Sequence, residues 1–153
     1  MTNEVINKYP NPWNFDNSSN ELTSPNKFNK IEYVDLREIA MGGPLCGYCI
    51  WKNKNGKSIK INELFGGPAI WNSEGTKVAI PTWPKKFLKG TVQQISVLDI
   101  QKREIIKYKK TFNVLDLRTF SNNEICGYDS PIYNTKIVKF DLDYEKIVEK
   151  KEI

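Results

Sequence analysis

With 153 residues and a formal charge of +5, this chain is about the length of one domain and can bury a core without the help of a disulfide or metal. Aromatic residues are plentiful (4 Trp, 7 Tyr, 7 Phe) and charged residues make up 27%, a balance that excludes an intrinsically disordered chain. Histidine is absent, which removes the Ser–His and Cys–His nucleophile pairs, His-ligated zinc and the usual neutral-pH proton shuttle.

Residues 1–20 are rich in Asn, carry Pro10 and Pro12 and show no period of 2 or 3.6. They read as an irregular arm, with Trp13 and Phe15 too apolar to leave in water and therefore suited to pin it to the body. The first ten residues lack a basic stretch followed by an apolar one, so no secretory leader is expected. No run approaches the ~18 apolar residues of a membrane span, and the expected compartment is the cytoplasm.

From Glu21 onward, short β-rich runs alternate with turn clusters, the pattern of an all-β domain. Strands are predicted at 30–35, 45–51, 58–63, 69–72, 77–82, 94–99, 104–109, 113–120, 124–128, 136–141 and 146–149. Turn signals between them include Asn55-Gly56, Gly66-Gly67-Pro68, Glu74-Gly75 and Ser121-Asn122-Asn123. Residues 36–41 read as one turn of helix, and 144–153 as either strand or helix end.

The chain also repeats itself. Trp71-Asn-Ser-Glu-Gly-Thr-Lys-Val-Ala-Ile80 predicts a hairpin, and Ile95-Ser-Val-Leu-Asp-Ile-Gln-Lys-Arg-Glu-Ile-Ile106 a second. The same two-part pattern recurs as Leu117–Tyr128 and Ile137–Val148, and earlier as Leu22–Val34 and Cys49–Ile61. This gives about three units, 21–66, 67–111 and 112–151, within a single all-β domain spanning 21–153. The Trp71–Ile80 and Ile95–Ile106 pattern resembles a blade of a WD-repeat or Tol-type β-propeller. That resemblance implies antiparallel, four-stranded blade-like units. Closed propellers usually need about four blades or more, so three units imply a partial propeller, a prism-like arrangement or a sandwich.

Few residues are placed for covalent chemistry. Cys46-Gly-Tyr-Cys49 is a C-x-x-C, but strand alternation puts its two thiols on opposite faces, and an extended i, i+3 pair is ~10 Å apart. A disulfide needs Cα atoms within about 7 Å, so two separate buried strand cysteines are expected. Cys126-Gly-Tyr128 repeats Cys46-Gly-Tyr48 and reads as repeated packing. Asp35, Glu38, Asp116 and Asp129 are the carboxylates available for a general acid/base pair, although Asp99, Asp129 and Asp141 each sit where a strand ends in a turn. Phosphate-loop, dinucleotide, nucleophile-elbow and zinc-protease motifs are absent. No cofactor and no metal are expected.

Recognition has better material. The 81–90 segment, Pro-Thr-Trp-Pro-Lys-Lys-Phe-Leu-Lys-Gly, mixes aromatics with lysines, a composition suited to anchoring a protein interface. Its Trp83, Lys85, Lys86, Phe87 and Lys89 are candidate contact residues, unless Trp83 and Phe87 instead cap the core. Asp129 and Tyr133, in Asp129-Ser-Pro-Ile-Tyr133, form a second candidate. Lysines also cluster at 52–60 and 102–110, with acidic residues interleaved among many of the chain's basic residues, as on solvated strand faces. Taken together, Met41-Gly-Gly-Pro-Leu-Cys-Gly-Tyr48, Phe65-Gly-Gly-Pro-Ala-Ile-Trp71 and Gly127-Tyr-Asp-Ser-Pro-Ile-Tyr133 resemble small bacterial immunity proteins. The resemblance implies a non-enzymatic module that neutralises a cognate toxin domain by direct complex formation. The basic charge favours a partner with an acidic or apolar contact face over a nuclease. Nucleic acid and membrane are not expected partners on this reading. The alternatives are a basic β-sheet module for nucleic acid or glycan, and a small Asp/Glu hydrolase.

Overall fold

The computed structural model describes residues 9–84 and 92–153. All eleven predicted strands are present: β1 (Asn29–Glu38), β2 (Leu45–Asn53), β3 (Ser58–Phe65), β4 (Ile70–Trp71), β5 (Lys77–Trp83), β6 (Gln93–Asp99), β7 (Glu104–Phe112), β8 (Leu115–Ser121), β9 (Glu124–Asp129), β10 (Lys136–Asp141) and β11 (Ile147–Glu152). All pairings are antiparallel. The expected helical turn at 36–41 is not formed, because β1 runs on through Glu38 in register with Leu45. The C-terminal segment is strand.

The turns follow their residue chemistry. Asn53 Oδ1 accepts the amides of Asn55 and Lys57, and Gly56 supplies a positive φ of 84° between β2 and β3. Asn122 and Asn123 are both left-handed, at φ 51° and 61°, the backbone that suits a tight hairpin between β8 and β9.

The strands form two sheets. One runs β1-β2-β3-β5-β6-β7-β11, with β4 also paired to β5; the other runs β10-β9-β8. Among the described residues, Leu64↔Trp83 and Phe65↔Thr82 are the pairs that join β3 to β5, and β1–β3 fold over the strands that follow. Ile31, Tyr33, Trp51, Ile61 and Phe65 therefore pack with Val78, Ile80, Leu98 and Ile105 in one core. Ala79, Ile95, Val97, Tyr108 and Phe112, from the opposite face of β5–β7, pack with Leu115, Leu117, Phe120, Ile125, Val138 and Phe140 in a second. The result is a three-layer sandwich: front strands β1–β3, middle strands β5–β7, back strands β8–β10. Being covered on both faces, β5 and β6 are buried almost throughout, whereas β1 alternates.

The three sequence units thus correspond to successive strand groups, but not to three separate four-stranded sheets. The hairpin expected at Ile137–Val148 is absent. β11 leaves β10 and pairs with β7, where Lys107 Nζ lies 2.8 Å from Glu63 and 3.5 Å from Glu149, and Lys151 Nζ lies 3.6 Å from Glu63. Glu63 is buried on β3, so its pairs with β7 and β11 compensate a carboxylate removed from water and bind the C-terminal strand to the folded-over sheet.

The arm is fastened at several points. Phe15 stacks edge-on against Tyr33 at 5.0 Å, a contact worth about 0.5–1.5 kcal/mol beyond its burial. The Asn17 side chain donates to Tyr33 O and accepts from Tyr33 N, so it satisfies the β1 edge as a neighbouring strand would. Pro12 O accepts the amide of Leu45.

Candidate partner-binding surface

The two Cys-Gly-Tyr segments occupy equivalent backbone positions. Gly47 on β2 faces a bulge in β1, where Val34 pairs with Tyr48 and Arg37 with Cys46. Gly127 on β9 faces a bulge in β8, where Leu117 pairs with Gly127 and Thr119 with Cys126. In each case one residue opposes two, and the extra residue pushes backbone toward the partner strand. A Cβ at Gly47 would lie 2.8 Å from Val34 O, and one at Gly127 would strike Asp116 O. Cys46 and Cys49 are both buried and unbonded. Burial pushes the Cys46 thiol up and the Cys49 thiol well up, the latter opposed by a hydrogen bond from Tyr33. They are packing thiols.

The strand-end aspartates cap turns. Asp99 Oδ1 accepts the amide of Lys102, and Asp141 Oδ1 that of Asp143. Asp129 Oδ1 accepts the amides of Asn113 and Val114 and the Ser130 hydroxyl. Asp116, opposite Tyr128, points to the face of β8 away from Asp129, so those two carboxylates do not converge. Asp116 is fully buried and pairs with Arg118 Nη2 at 2.6 Å. Its carboxyl is nevertheless raised, because burial outweighs the Arg118 guanidinium. Among the described residues, no group of three or more Cys, Asp or Glu side chains is placed to hold a metal ion.

Of the expected contact residues, Trp83 is overturned as a surface anchor. It ends β5 opposite Leu64 and is 2% exposed. The prolines and lysines around it signal a loop, but pairing carries the strand through its indole. Lys85, Lys86, Phe87 and Lys89 lie outside the described residues. Asp129 and Tyr133 come together at one end of the back sheet. The 130–135 connection from β9 to β10 is tied down by Ser130 N to Val114 O, Thr135 Oγ1 to Ser130 O, and Asn113 Nδ2 to Ser130 Oγ. Ser130 and Asn134 take positive φ values of 57° and 52°.

This fixed loop holds Ile132 and Tyr133 outward, 49% and 76% exposed. Together with Asn113, Val114, Asp129, Lys136 and Trp13 they line an open concavity of about 760 Å³. Ile137, on the adjoining strand, is 78% exposed. The sequence marks Trp13 only as an arm anchor; it lines this site while Pro12, the residue before it, is bonded to Leu45 at the start of β2, a proximity that no local signal in the sequence marks.

No helix among the described residues is long and apolar enough to cross a membrane. Comparison with protein-family models, with curated proteins and with solved structures gave no match.

Proposed function

We propose that this chain is a non-enzymatic protein-binding module and that its partner is a cognate toxin domain, which it neutralises by forming a direct complex. The observation that carries the reading is the 130–135 loop. Its backbone is held by hydrogen bonds at both ends, yet Ile132 and Tyr133 stand in water beside a concavity walled by Trp13 and Val114. Ordering an apolar pair outside the core brings no folding gain, and preorganised aromatic and aliphatic anchors are what a tight interface uses. Asp129 serves this site by positioning: three of its contacts hold the turn at 113–114 and the start of the loop. Lys136 at the rim suits an acidic residue next to an inserted apolar side chain of the partner. The resemblance to small immunity proteins supplies the partner class.

The test is a growth-protection assay with the toxin domain encoded beside this gene. The wild-type chain is expected to protect, and Ile132→Ala/Tyr133→Ala to lose protection while remaining folded. Full protection by the double variant removes this loop from the interface.

A further inference from the structure

The outer face of the front layer carries a second surface, independent of the back-sheet loop. Strand register puts Lys30, Lys52 and Ser58 directly across from one another, then Glu32, Ile50 and Lys60, then Val34 and Tyr48. Directly opposed residues share a face, and the alternate residues Ile31, Tyr33, Cys49, Trp51 and Ile61 all point into the core. Lys54 continues this row past Lys52 at the hairpin end, where Phe28 O accepts its amide and the Phe28 ring is exposed, and Lys27 and Lys57 lie in the adjoining turns. Six lysines thus lie together with one carboxylate, Glu32, which is 3.0 Å from Lys52 and 4.0 Å from Lys30. The net +5 of residues 27–34 and 48–62 equals the formal charge of the whole chain. The basic residues at 103–107 are engaged elsewhere: Lys107 with Glu63, and Arg103 over Trp51 at 5.6 Å.

We propose that this face binds single-stranded nucleic acid, with the lysines on the phosphates and Tyr48 and Phe28 as stacking platforms. Charge separation on a protein surface concentrates polyanions. Lysines spaced by about 5 Å between strands and roughly 7 Å along them form a ladder of point charges on an open face. The exposed Phe28 ring at one end and the half-buried Tyr48 ring at the other give bases of any sequence a surface to stack on. A polyglutamate-like acidic segment would gain from the same charge but carries no planar group to stack on either ring. Lys60 already lies over the Tyr48 ring, 5.1 Å from its centre, pairing a phosphate-binding group with a stacking one.

The experiment is fluorescence anisotropy of the full chain with a labelled oligothymidylate of about 20 nucleotides, at salt from ~50 to ~200 mM. Saturable binding is expected, with a log–log salt slope of roughly −3 to −4 for four to six phosphates neutralised. Lys52→Glu/Lys60→Glu should weaken it more than about tenfold, and so should Lys54→Glu/Lys57→Glu, which leaves the Glu32 pairs intact. Tyr48→Ala should weaken it severalfold without changing the salt slope, and Lys139→Glu on the back sheet should leave it unchanged. Absence of saturable binding at the lowest salt, equal loss from the back-sheet variant, or equally effective competition by polyglutamate would each overturn the proposal. None of these results bears on toxin protection, which reads the other surface.

Discussion

The front strands β1–β3 and the back strands β8–β10 do the same structural work on opposite sides of β5–β7. Each covers one face of the middle layer, and each contains a Cys-Gly-Tyr whose glycine opposes a bulge in the neighbouring strand. Their outer surfaces nevertheless diverge. The front presents lysines around Tyr48, while the back ends in a fixed loop carrying Ile132 and Tyr133. The backbone device and the inward residues set the layer, and the outward residues, released from the core, differ between the two.

The largest effects should come from the two cores. Phe65 and Phe140 are fully buried, one in each, and truncating either to Ala should cost ~3–5 kcal/mol. Because β5–β7 belong to both cores, urea unfolding should remain a single transition in each variant. Separate transitions in Phe140→Ala would show the back layer to be an independent unit.

The glycines come next. Gly47→Ala and Gly127→Ala should each destabilise by roughly 1–3 kcal/mol. Gly127→Ala should cost more, since its added methyl meets Asp116 O and the Leu117 Cα at 2.9 Å, whereas Gly47 faces one carbonyl and the movable Leu36 side chain. Equal stability of Gly127→Ala and wild type in the same unfolding experiment contradicts the shared bulge device.

A smaller effect separates the layers electrostatically. Asp116 in the back sheet has its carboxyl raised from 3.8 by burial. A carboxyl raised in the folded state binds its proton more tightly there, so stability is gained as pH falls through the folded value and lost again as pH rises through it. Measured against Asp116→Asn, the wild type should therefore gain relative stability as pH is lowered from neutral toward the ordinary carboxylate range. A constant difference across that range would mean that Arg118 fully compensates the burial.

The strands were legible because turn residues punctuate them: Gly56, Gly75 and Asn122-Asn123 all adopt the positive φ their types favour. The repeated Cys-Gly-Tyr was legible as packing because two identical tripeptides in β-rich runs imply one local geometry. Pairing over distance was not. β11 joins β7 through contacts with Glu63 on a strand more than eighty residues earlier, and nothing in residues 136–152 encodes that choice. Trp83 carries both a loop and a core-capping reading in the sequence, because its proline and lysine neighbours describe a loop while its burial depends on β3 pairing at Leu64. Of the candidate site, Asp129 and Tyr133 were visible as a turn with an exposed aromatic. Trp13 was not, since its place beside the back sheet depends on where the arm is fastened, at Leu45 on β2. The lysine face likewise needs register: read linearly, Lys30 and Lys52 are unrelated, and only the β1–β2 ladder makes them neighbours.

Amide hydrogen exchange of the complex with the cognate toxin domain tests the division of surfaces most directly. On this account, binding slows exchange at Trp13, at 113–114 and across 130–136, and leaves 48–60 unchanged. Protection confined to 48–60, with the 130–135 loop exchanging as in the free protein, would contradict it.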